Sequence, residues 1–315
     1  MGVFLSSVSG VFVILVMVAI GYILNERGWF DENSTRMISK LVTQVALPAY
    51  MVTTIMKDFT AEQLKTLLPD LRYPVISMLI LFAASTVISR AVRIKSSHVG
   101  LFESMFFNSN TVFVGLPINL ALFGDRSLPY VLVYYMANTT FFWTLGVWLI
   151  QRDGMGKAKI NLLATLKKIF SPPLMGFIIG IILVVLHIKL PSFLQSDLTY
   201  VGGLTIPMSM LFIGIAVSNA GISRMRFNRD SIWILIGRFL CAPALMALLV
   251  IPSHMEILMK QVFILQAAMP VMTNAPVVSK LYDADADYAA IMVTETTLMS
   301  IIVVPILMVV IKSLV

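Results

Sequence analysis

Residues 106–117 decide the fold, and they read Phe106-Phe107-Asn108-Ser109-Asn110-Thr111-Val112-Phe113-Val114-Gly115-Leu116-Pro117. A polar cluster, a glycine and a proline here interrupt an apolar segment long enough to cross a bilayer. Residues 266–276 interrupt a second apolar segment in the same way, with Met269-Pro270 followed by Thr273, Asn274 and Pro276. Because proline removes a backbone donor and clashes with the preceding turn, both segments are predicted to be broken helices.

The composition excludes a water-soluble fold. Hydrophobic residues make up 58% of the 315 residues and charged residues only 12%, against about 25% charged residues in an average soluble domain. A spanning helix needs about 20 predominantly apolar residues, and ten such segments follow one another. They cover residues 3–24, 36–56, 73–93, 99–122, 128–150, 171–188, 198–219, 230–251, 257–281 and 287–311. The sequence therefore predicts an all-α integral membrane protein with ten transmembrane helices in the lipid bilayer.

An internal repeat is indicated by landmarks that recur at one offset. An offset of 159 residues aligns Gly21 with Gly180, Pro48 with Pro207, Met51 with Met210 and Pro117 with Pro276. Glycine and proline shape helices, so their recurrence favours a structural repeat over coincidence. Residues 1–150 are the first predicted five-helix repeat, residues 151–169 a connector and residues 170–315 the second repeat. Because each repeat holds an odd number of spans, the second is inverted in the membrane relative to the first.

The distribution of basic residues predicts the orientation. Lysines and arginines are more frequent in the connector and in the loops on its side of the membrane than on the other side. Since cytoplasmic loops carry this excess, the connector is predicted to be cytoplasmic, with both the N-terminus and the C-terminus outside a cell (inner) membrane. The first span has no basic n-region and no cleavage site, so it is predicted to be a retained helix rather than a signal peptide.

The two broken helices, spans 4 and 9, are predicted to cross near the midplane and to form a substrate site. Interrupted backbone at that depth is tolerated where it is buried in protein or lines a cavity, and the N-terminal ends of half-helices favour an anion. Ordinary proline kinks with polar residues joining neighbouring helices are the alternative, but matching breaks in both repeats favour a site. The candidate residues are Asn108, Asn110, Thr111, Thr273 and Asn274, with Pro117 and Pro276 at the starts of the half-helices.

Three charged residues are the candidates for charges well inside predicted spans, where a charge at mid-membrane costs about 2.5–3.5 kcal/mol. Arg238 in span 8 and Glu295 in span 10 share a depth, whereas Glu103 lies nearer the end of span 4 and can reach the interface. Arg238 and Glu295 are predicted to form an ion pair between helices. Direct participation in binding the anion, a cation or a proton is the alternative for this intramembrane charge pair.

Three blocks of the sequence carry a resemblance to a known family. They run from Phe107-Asn108-Ser109-Asn110 through Gly115-Leu116-Pro117 and Asn138 to Val147, from Gly21 to Pro48, and from Met269-Pro270 to Tyr282. In these blocks the chain resembles bacterial members of the auxin efflux carrier family. The chain lacks the long hydrophilic central loop of many plant carriers, so the bacterial branch fits better.

This resemblance implies a fold, a substrate class and further site residues. The fold would be the ten-helix inverted-repeat arrangement shared with bile acid/sodium symporters, with helices 1, 2, 6 and 7 as a scaffold and helices 3–5 and 8–10 as a moving transport domain. Family members carry organic anions, either auxin or small carboxylates such as malate and malonate. Gly115, Asn138 and Pro270 lie in the matching blocks and join the candidate substrate-binding residues.

The sequence therefore predicts a secondary transporter of small organic anions that works by alternating access. A channel-like anion pore and a transporter-derived sensor are the alternatives. No Walker motif, metal-ligand cluster or set of convergent catalytic groups is present, so no enzyme activity, cofactor or metal is predicted, and no basic motif indicates nucleic acid. The carboxylate, the direction of transport, coupling to H⁺ or Na⁺, and the presence of a homodimer are left open.

Overall fold

The computed structural model of the protein describes residues 16–155, 163, 166, 170–220 and 227–314. This part of the chain is helical with turns and short connections, and it contains no β-strand. A helix satisfies its own backbone groups, which is what a segment without access to water requires. Residues 3–15 of the first predicted span and most of the predicted connector 151–169 lie outside the described residues.

We number the helices in chain order. They are α1 Val16–Glu26, α2 Glu32–Leu41, α3 Leu47–Asp58, α4 Ala61–Leu67, α5 Arg72–Ala91, α6 Val99–Phe107, α7 Leu116–Phe123, α8 Leu128–Phe141, α9 Val147–Met155, α10 Pro172–Val185, α11 Ser192–Gly202, α12 Thr205–Ala220, α13 Arg229–Ile236, α14 Ala242–Val250, α15 Ile257–Ala267, α16 Ala275–Leu281 and α17 Ala286–Leu314. Polar residues cap two of the starts. The side chain of Asp31 accepts from the backbone N–H of Ser34 before α2, and that of Asn228 accepts from the N–H of Ser231 before α13.

Five helical stretches are long and apolar enough to cross a membrane. They are Pro69–Ala91, Ser96–Phe123, Ser192–Asn219, Arg229–Val250 and Ala286–Leu314. Shorter helices occupy the other predicted spans in the described part of the chain. The prediction of an all-α protein with several apolar helices is therefore confirmed, and the ten-helix inverted repeat stays a prediction.

The chain divides into two compact units. Unit 1 comprises the described residues within Met1–Asp70, Leu116–Val133 and Phe170–Asn219, and unit 2 those within Leu71–Gly115, Tyr134–Ile169 and Ala220–Val315. One boundary passes between Gly115 and Leu116, within the interrupted segment 106–117. Unit 1 therefore contains α7, and unit 2 contains α6 and the polar cluster that follows it.

Two close glycine contacts inside unit 1 are related by the offset found in the sequence. A Cβ on Gly21 would lie 2.3 Å from the backbone oxygen of Leu211, and a Cβ on Gly180 would lie 3.4 Å from the Cα of Val52. Adding 159 to Gly21 and Val52 gives Gly180 and Leu211. A larger residue at Gly21 would push two helix backbones apart, whereas a Cβ on Gly180 would press on the side chain of Ile55, whose Cβ would lie 3.0 Å away.

Single π-helical turns interrupt several helices of the described chain. They cover Val42–Ala46, Thr111–Gly115, Phe142–Gly146 and Gly237–Cys241. Such turns are rare in proteins overall, and those that occur are often found at functional sites. The last three belong to unit 2, which directs attention to that unit.

Candidate functional site

Both predicted helix interruptions are present. The first lies between the end of α6 at Phe107 and the start of α7 at Leu116, and the second between the end of α15 at Ala267 and the start of α16 at Ala275. Pro270 lies within the second interruption, whereas Pro117 and Pro276 occupy the second positions of the helices that follow, α7 and α16. At the start of α16 the missing N–H of Pro276 is not needed by the helix. Pro117 instead comes shortly after the π-helical turn Thr111–Gly115.

The two interruptions touch each other inside unit 2. The backbone N–H of Asn110 donates to the carbonyl oxygen of Pro270 at 2.8 Å. The side-chain Nε2 of Gln266 donates to the carbonyl oxygen of the next residue, Thr111, at 3.4 Å. Non-helical backbone from one broken segment is thus hydrogen-bonded to non-helical backbone from the other.

Neighbouring helices hold each interruption in place. Asn138 on α8 accepts from the N–H of Ser109 at 2.9 Å and donates to the carbonyl of Ser109 at 2.8 Å, so its amide replaces a backbone partner. On the other interruption, the hydroxyl oxygen of Thr296 on α17 accepts from the N–H of Val271 at 3.1 Å. These bonds satisfy backbone groups that would otherwise be buried without partners. The structure gives Asn138 and Thr296 a positioning role.

Arg238 forms hydrogen bonds with carbonyl groups at the C-terminal ends of α6 and α15, the helices that precede the two interruptions. Its guanidinium donates to the carbonyl of Phe106 at 3.1 Å, to that of Ala267 at 2.6 Å and twice to that of Met269, at 3.0 and 3.1 Å. The side chain is completely buried. Gly237 leaves the space for this arrangement, since a Cβ there would lie 2.3 Å from the Phe106 ring.

The carbonyls need this arginine because their usual helical donors are engaged elsewhere. In a continuous helix the N–H of Asn110 would bond to Phe106, and the N–H of Val271 would bond to Ala267. Here Asn110 donates to Pro270, and Val271 donates to Thr296. Five N–H groups in a fixed planar fork allow one arginine to replace several backbone donors.

The charge of Arg238 also offsets the two helix dipoles. Each helix C-terminus carries roughly half a negative charge, so the ends of α6 and α15 together match one guanidinium. The sequence identified Arg238 as an intramembrane charge but predicted Glu295 as its partner. Glu295 is buried on α17, only 1% exposed, and its pairing with Arg238 stays a prediction.

Glu103 has partners that the sequence analysis did not identify. Its buried carboxylate accepts from the hydroxyl of Ser89 on α5 at 3.1 Å. The guanidinium of Arg152 on α9 lies 3.4 Å away. Glu103 therefore joins three helices of unit 2, and its charge is matched by a partly exposed arginine.

Three amide atoms beside the interruptions have no hydrogen-bond partner among the described residues. They are Oδ1 of Asn108, Nδ2 of Asn110 and Oε1 of Gln266, and all three belong to buried side chains. Buried polar atoms of native proteins are almost always hydrogen-bonded. One donor and two acceptors are therefore available to a ligand or to water at the place where the broken segments meet.

The remaining predicted residues lie farther along the chain from the contact between Asn110 and Pro270. Thr273 and Asn274 are half-buried just before α16, and the side chain of Asn274 does not cap that helix. Pro117 follows the unit boundary and belongs to unit 1. Sequence reasoning missed Gln266 and Thr296, although Gln266 opens the second interrupted segment and is a polar residue at the end of an apolar run.

A second cluster in unit 2 joins the ends of several helices. Nε2 of His98 lies 3.0 Å from the carboxylate of Asp285, and its ring stacks on Tyr288 with 4.4 Å between centroids. Nδ1 of His98 lies 4.0 Å from Asp230. The backbone N–H of Tyr288 and the nearby His98 hold the pKa of Asp285 below its ordinary value. This cluster connects the residue before α6 with the starts of α13 and α17.

Comparisons with known proteins identify the family of this chain. The sequence model of a family described as membrane transport protein matches residues 6–308. An uncharacterized transporter of Methanocaldococcus jannaschii is 27% identical over 304 residues, which cover 93% of this chain and 95% of the relative. An uncharacterized transporter of Methanothermobacter thermautotrophicus is 26% identical over 311 residues, covering 96% of this chain and 98% of the relative. The family match confirms the resemblance found in the sequence.

Proposed function

The chain belongs to the membrane transport protein family, and we propose that it is a secondary transporter that carries small organic anions by alternating access. The observation that carries the proposal is the contact between the two interrupted segments, where the N–H of Asn110 meets Pro270 and the side-chain donor of Asn110 has no partner among the described residues. Paired broken helices that meet within the membrane are typical of substrate sites in transporters.

The preference for an anion follows from the donors and charges at this site. A carboxylate has only acceptor atoms when ionised and needs N–H or O–H groups around it. Asn110 supplies such a donor without a full charge, so the anion is not held too tightly to be released. Arg238 offsets the negative ends of α6 and α15, which would otherwise repel an anion from the interruptions.

The division into two units supports an alternating-access mechanism. In the proposed cycle, unit 2 carries the substrate and moves as one body, and unit 1, with α1, α3, α10 and α12, serves as the scaffold. Among the segments that pass between the units, those at Asp70 and Gly115 lie next to helix ends and would absorb the movement. Few residues at such segment ends suffice as hinges.

Binding is tested first. Purified protein is screened by thermal shift against mono- and dicarboxylates, with and without Na⁺ and at two pH values, since coupling to H⁺ or Na⁺ is undetermined. A ligand at a hundredfold excess over its Kd stabilises by about 2.7 kcal/mol, which is readily detected. If none of the acids shifts the melting temperature under any of these conditions, the proposed substrate class is wrong.

Variants locate the site. Asn110→Ala and Asn274→Ala should weaken binding by about ten- to a hundredfold, because a hydrogen bond to a charged group contributes roughly 1.5–3 kcal/mol. Asn33→Ala, at an exposed position of α2 in unit 1, is the matched control and should bind normally. If Asn110→Ala and Asn274→Ala both bind like the parent, the interruptions are architectural and the site lies elsewhere.

Counterflow in proteoliposomes distinguishes the carrier from a channel-like anion pore or a sensor. A carrier loaded with unlabelled acid accumulates labelled acid transiently, because each cycle exchanges one bound substrate for another. A pore equilibrates the label without overshoot. Absence of any flux, with binding intact, would instead favour a transporter-derived sensor.

The proposed topology places the 151–169 connector in the cytoplasm and both termini outside a cell (inner) membrane. Single cysteines at positions 159 and 65 in a cysteine-free background should then react from opposite sides, with Lys65→Cys accessible to an impermeant reagent from outside. Equal external labelling of Lys159→Cys and Lys65→Cys would refute this orientation.

A further inference from the structure

Two buried side-chain amides lie at the interruptions, and in each of them one of the two polar atoms forms a hydrogen bond while the other has no partner among the described residues. Oδ1 of Asn110 accepts from the N–H of Phe113 at 3.2 Å, and Nδ2 of Asn110 has no partner among the described residues. Nε2 of Gln266 donates to the carbonyl of Thr111 at 3.4 Å, and its Oε1 has none. Asn110 is 2% exposed and Gln266 is 0% exposed.

The satisfied ends determine which way each amide points. A flipped Asn110 would face the N–H of Phe113 with its NH₂ group, and a flipped Gln266 would face the carbonyl of Thr111 with its oxygen. Both alternatives replace a hydrogen bond with a repulsive contact. The site therefore presents a donor from Asn110 and an acceptor from Gln266.

Gly115 contacts both of the residues that supply this donor and this acceptor. Its N–H donates to the carbonyl of Asn110 at 2.9 Å, which folds the π-helical turn back over Asn110. A Cβ on Gly115 would lie 2.2 Å from Oε1 of Gln266. Only a glycine leaves the Gln266 amide in this position. Oδ1 of Asn108, also without a partner among the described residues, adds a second acceptor near the same interruption.

We infer that the ligand of this site carries a hydrogen-bond donor beside its carboxylate, as a 2-hydroxy acid does; this inference rests on the proposed function. The carboxylate accepts from Nδ2 of Asn110, and the hydroxyl donates to Oε1 of Gln266. A plain carboxylate offers only acceptors. It satisfies Asn110 but leaves Gln266 unpaired and facing another oxygen, so a site built this way rejects the analogue without the hydroxyl.

The test compares acids that differ only in that hydroxyl. Calorimetry on the purified full-length protein at about pH 7.5 gives a dissociation constant for each acid. The value for malate is compared with that for succinate, and the value for lactate with that for propionate. The hydroxy acid of each pair should bind about tenfold more tightly, as expected when one buried acceptor gains or loses its partner. Equal affinities within both pairs overturn the inference while leaving the proposed function intact. Failure of every acid to bind overturns the proposed function itself.

The ligand could also supply the hydrogen-bond donor from a protonated carboxyl group instead of a hydroxyl group. Measurements at several pH values distinguish these two sources. If a protonated carboxyl supplies the donor, succinate should gain affinity as the pH falls towards its pKa, and the advantage of malate should disappear. If the hydroxyl supplies it, the ratio of the two affinities should not change with pH. A ratio that falls to one at lower pH overturns the assignment of the hydroxyl.

Two substitutions remove the acceptor by different routes. Gln266→Met deletes the amide at similar side-chain length, and Gly115→Ala places a methyl group 2.2 Å from Oε1 of Gln266, which forces the amide to move. Each variant should reduce the hydroxy-acid advantage to about twofold or less. Gln195→Met, at an exposed position of α11, is the control and should keep the full advantage. If one of the two variants does not fold, the result of the other is used. A folded variant that still prefers the hydroxy acid as strongly as the parent overturns the role of Gln266.

Discussion

Replacing Arg238 with methionine tests how the broken helices are stabilised. The substitution keeps an unbranched apolar side chain but removes every donor to Phe106, Ala267 and Met269. Leaving a buried acceptor unsatisfied costs about 1–3 kcal/mol, and three carbonyls are affected. Burying a guanidinium costs several kcal/mol, and the methionine variant avoids this cost, which favours the variant. Three unsatisfied carbonyls and two unopposed helix C-terminal dipoles outweigh that gain, and we take a net loss of about 3 kcal/mol as the expected value.

The assay is thermal unfolding in detergent, followed by tryptophan fluorescence. A loss of this size should lower the melting temperature by on the order of 10 °C. Arg238→Lys keeps the charge but lacks the planar fork, so it should lie between the parent and Arg238→Met. Arg90→Met, at an exposed position in the last turn of α5, is the matched control and should change stability by less than about 0.5 kcal/mol. If Arg238→Met melts within about 1 °C of the parent, the carbonyl ends do not depend on this arginine and the reasoning is refuted.

Three further predictions concern single contacts. Asn138→Ala should destabilise and weaken acid binding, because the backbone of Ser109 loses both partners; a variant that binds normally would contradict the positioning role. Glu295→Gln should destabilise, and combining it with Arg238→Gln should cost less than the sum of the single losses if the predicted pair forms, whereas additive losses would exclude it. Asp285→Asn should destabilise at neutral pH, and its effect should decline as the pH falls below about 4, since a carboxylate with a lowered pKa stabilises fully above its ordinary pKa and loses that contribution as the pH falls through the lowered pKa; a constant difference in melting temperature down to pH 3 would disprove this.

Much of the fold could be predicted from local sequence. Apolar segments of spanning length and the positions of glycine and proline are properties of short stretches, and they placed both interruptions within a few residues of where they occur. The predicted breaks differ from the observed ones because proline was taken as the breaking residue. Pro117 and Pro276 instead lie in the first turns of α7 and α16, and at the start of α16 a missing N–H does no harm.

The partners of the interrupted backbone could not be predicted in this way. Depth along a helix can be counted from the sequence, which is why Glu295 is predicted to pair with Arg238, whereas the carbonyl groups of α6 and α15 that Arg238 contacts leave no residue-specific mark. Gln266 and Thr296 were missed for the same reason. Each acts on a backbone atom of a segment distant in the chain, and backbone atoms are the same in every sequence.

The sequence by itself determined that this protein crosses a membrane with helices and that two of those helices are interrupted, because hydrophobicity and backbone chemistry act within each segment. Only the tertiary structure decided how the interruptions are completed. In unit 2 it brings the non-helical residues of both segments into contact, assigns the carbonyl ends to Arg238, and leaves Asn110 and Gln266 with one unsatisfied atom each. The physical reason is that a hydrogen bond depends on distance and direction in space, and these arise only when segments distant in the chain pack together.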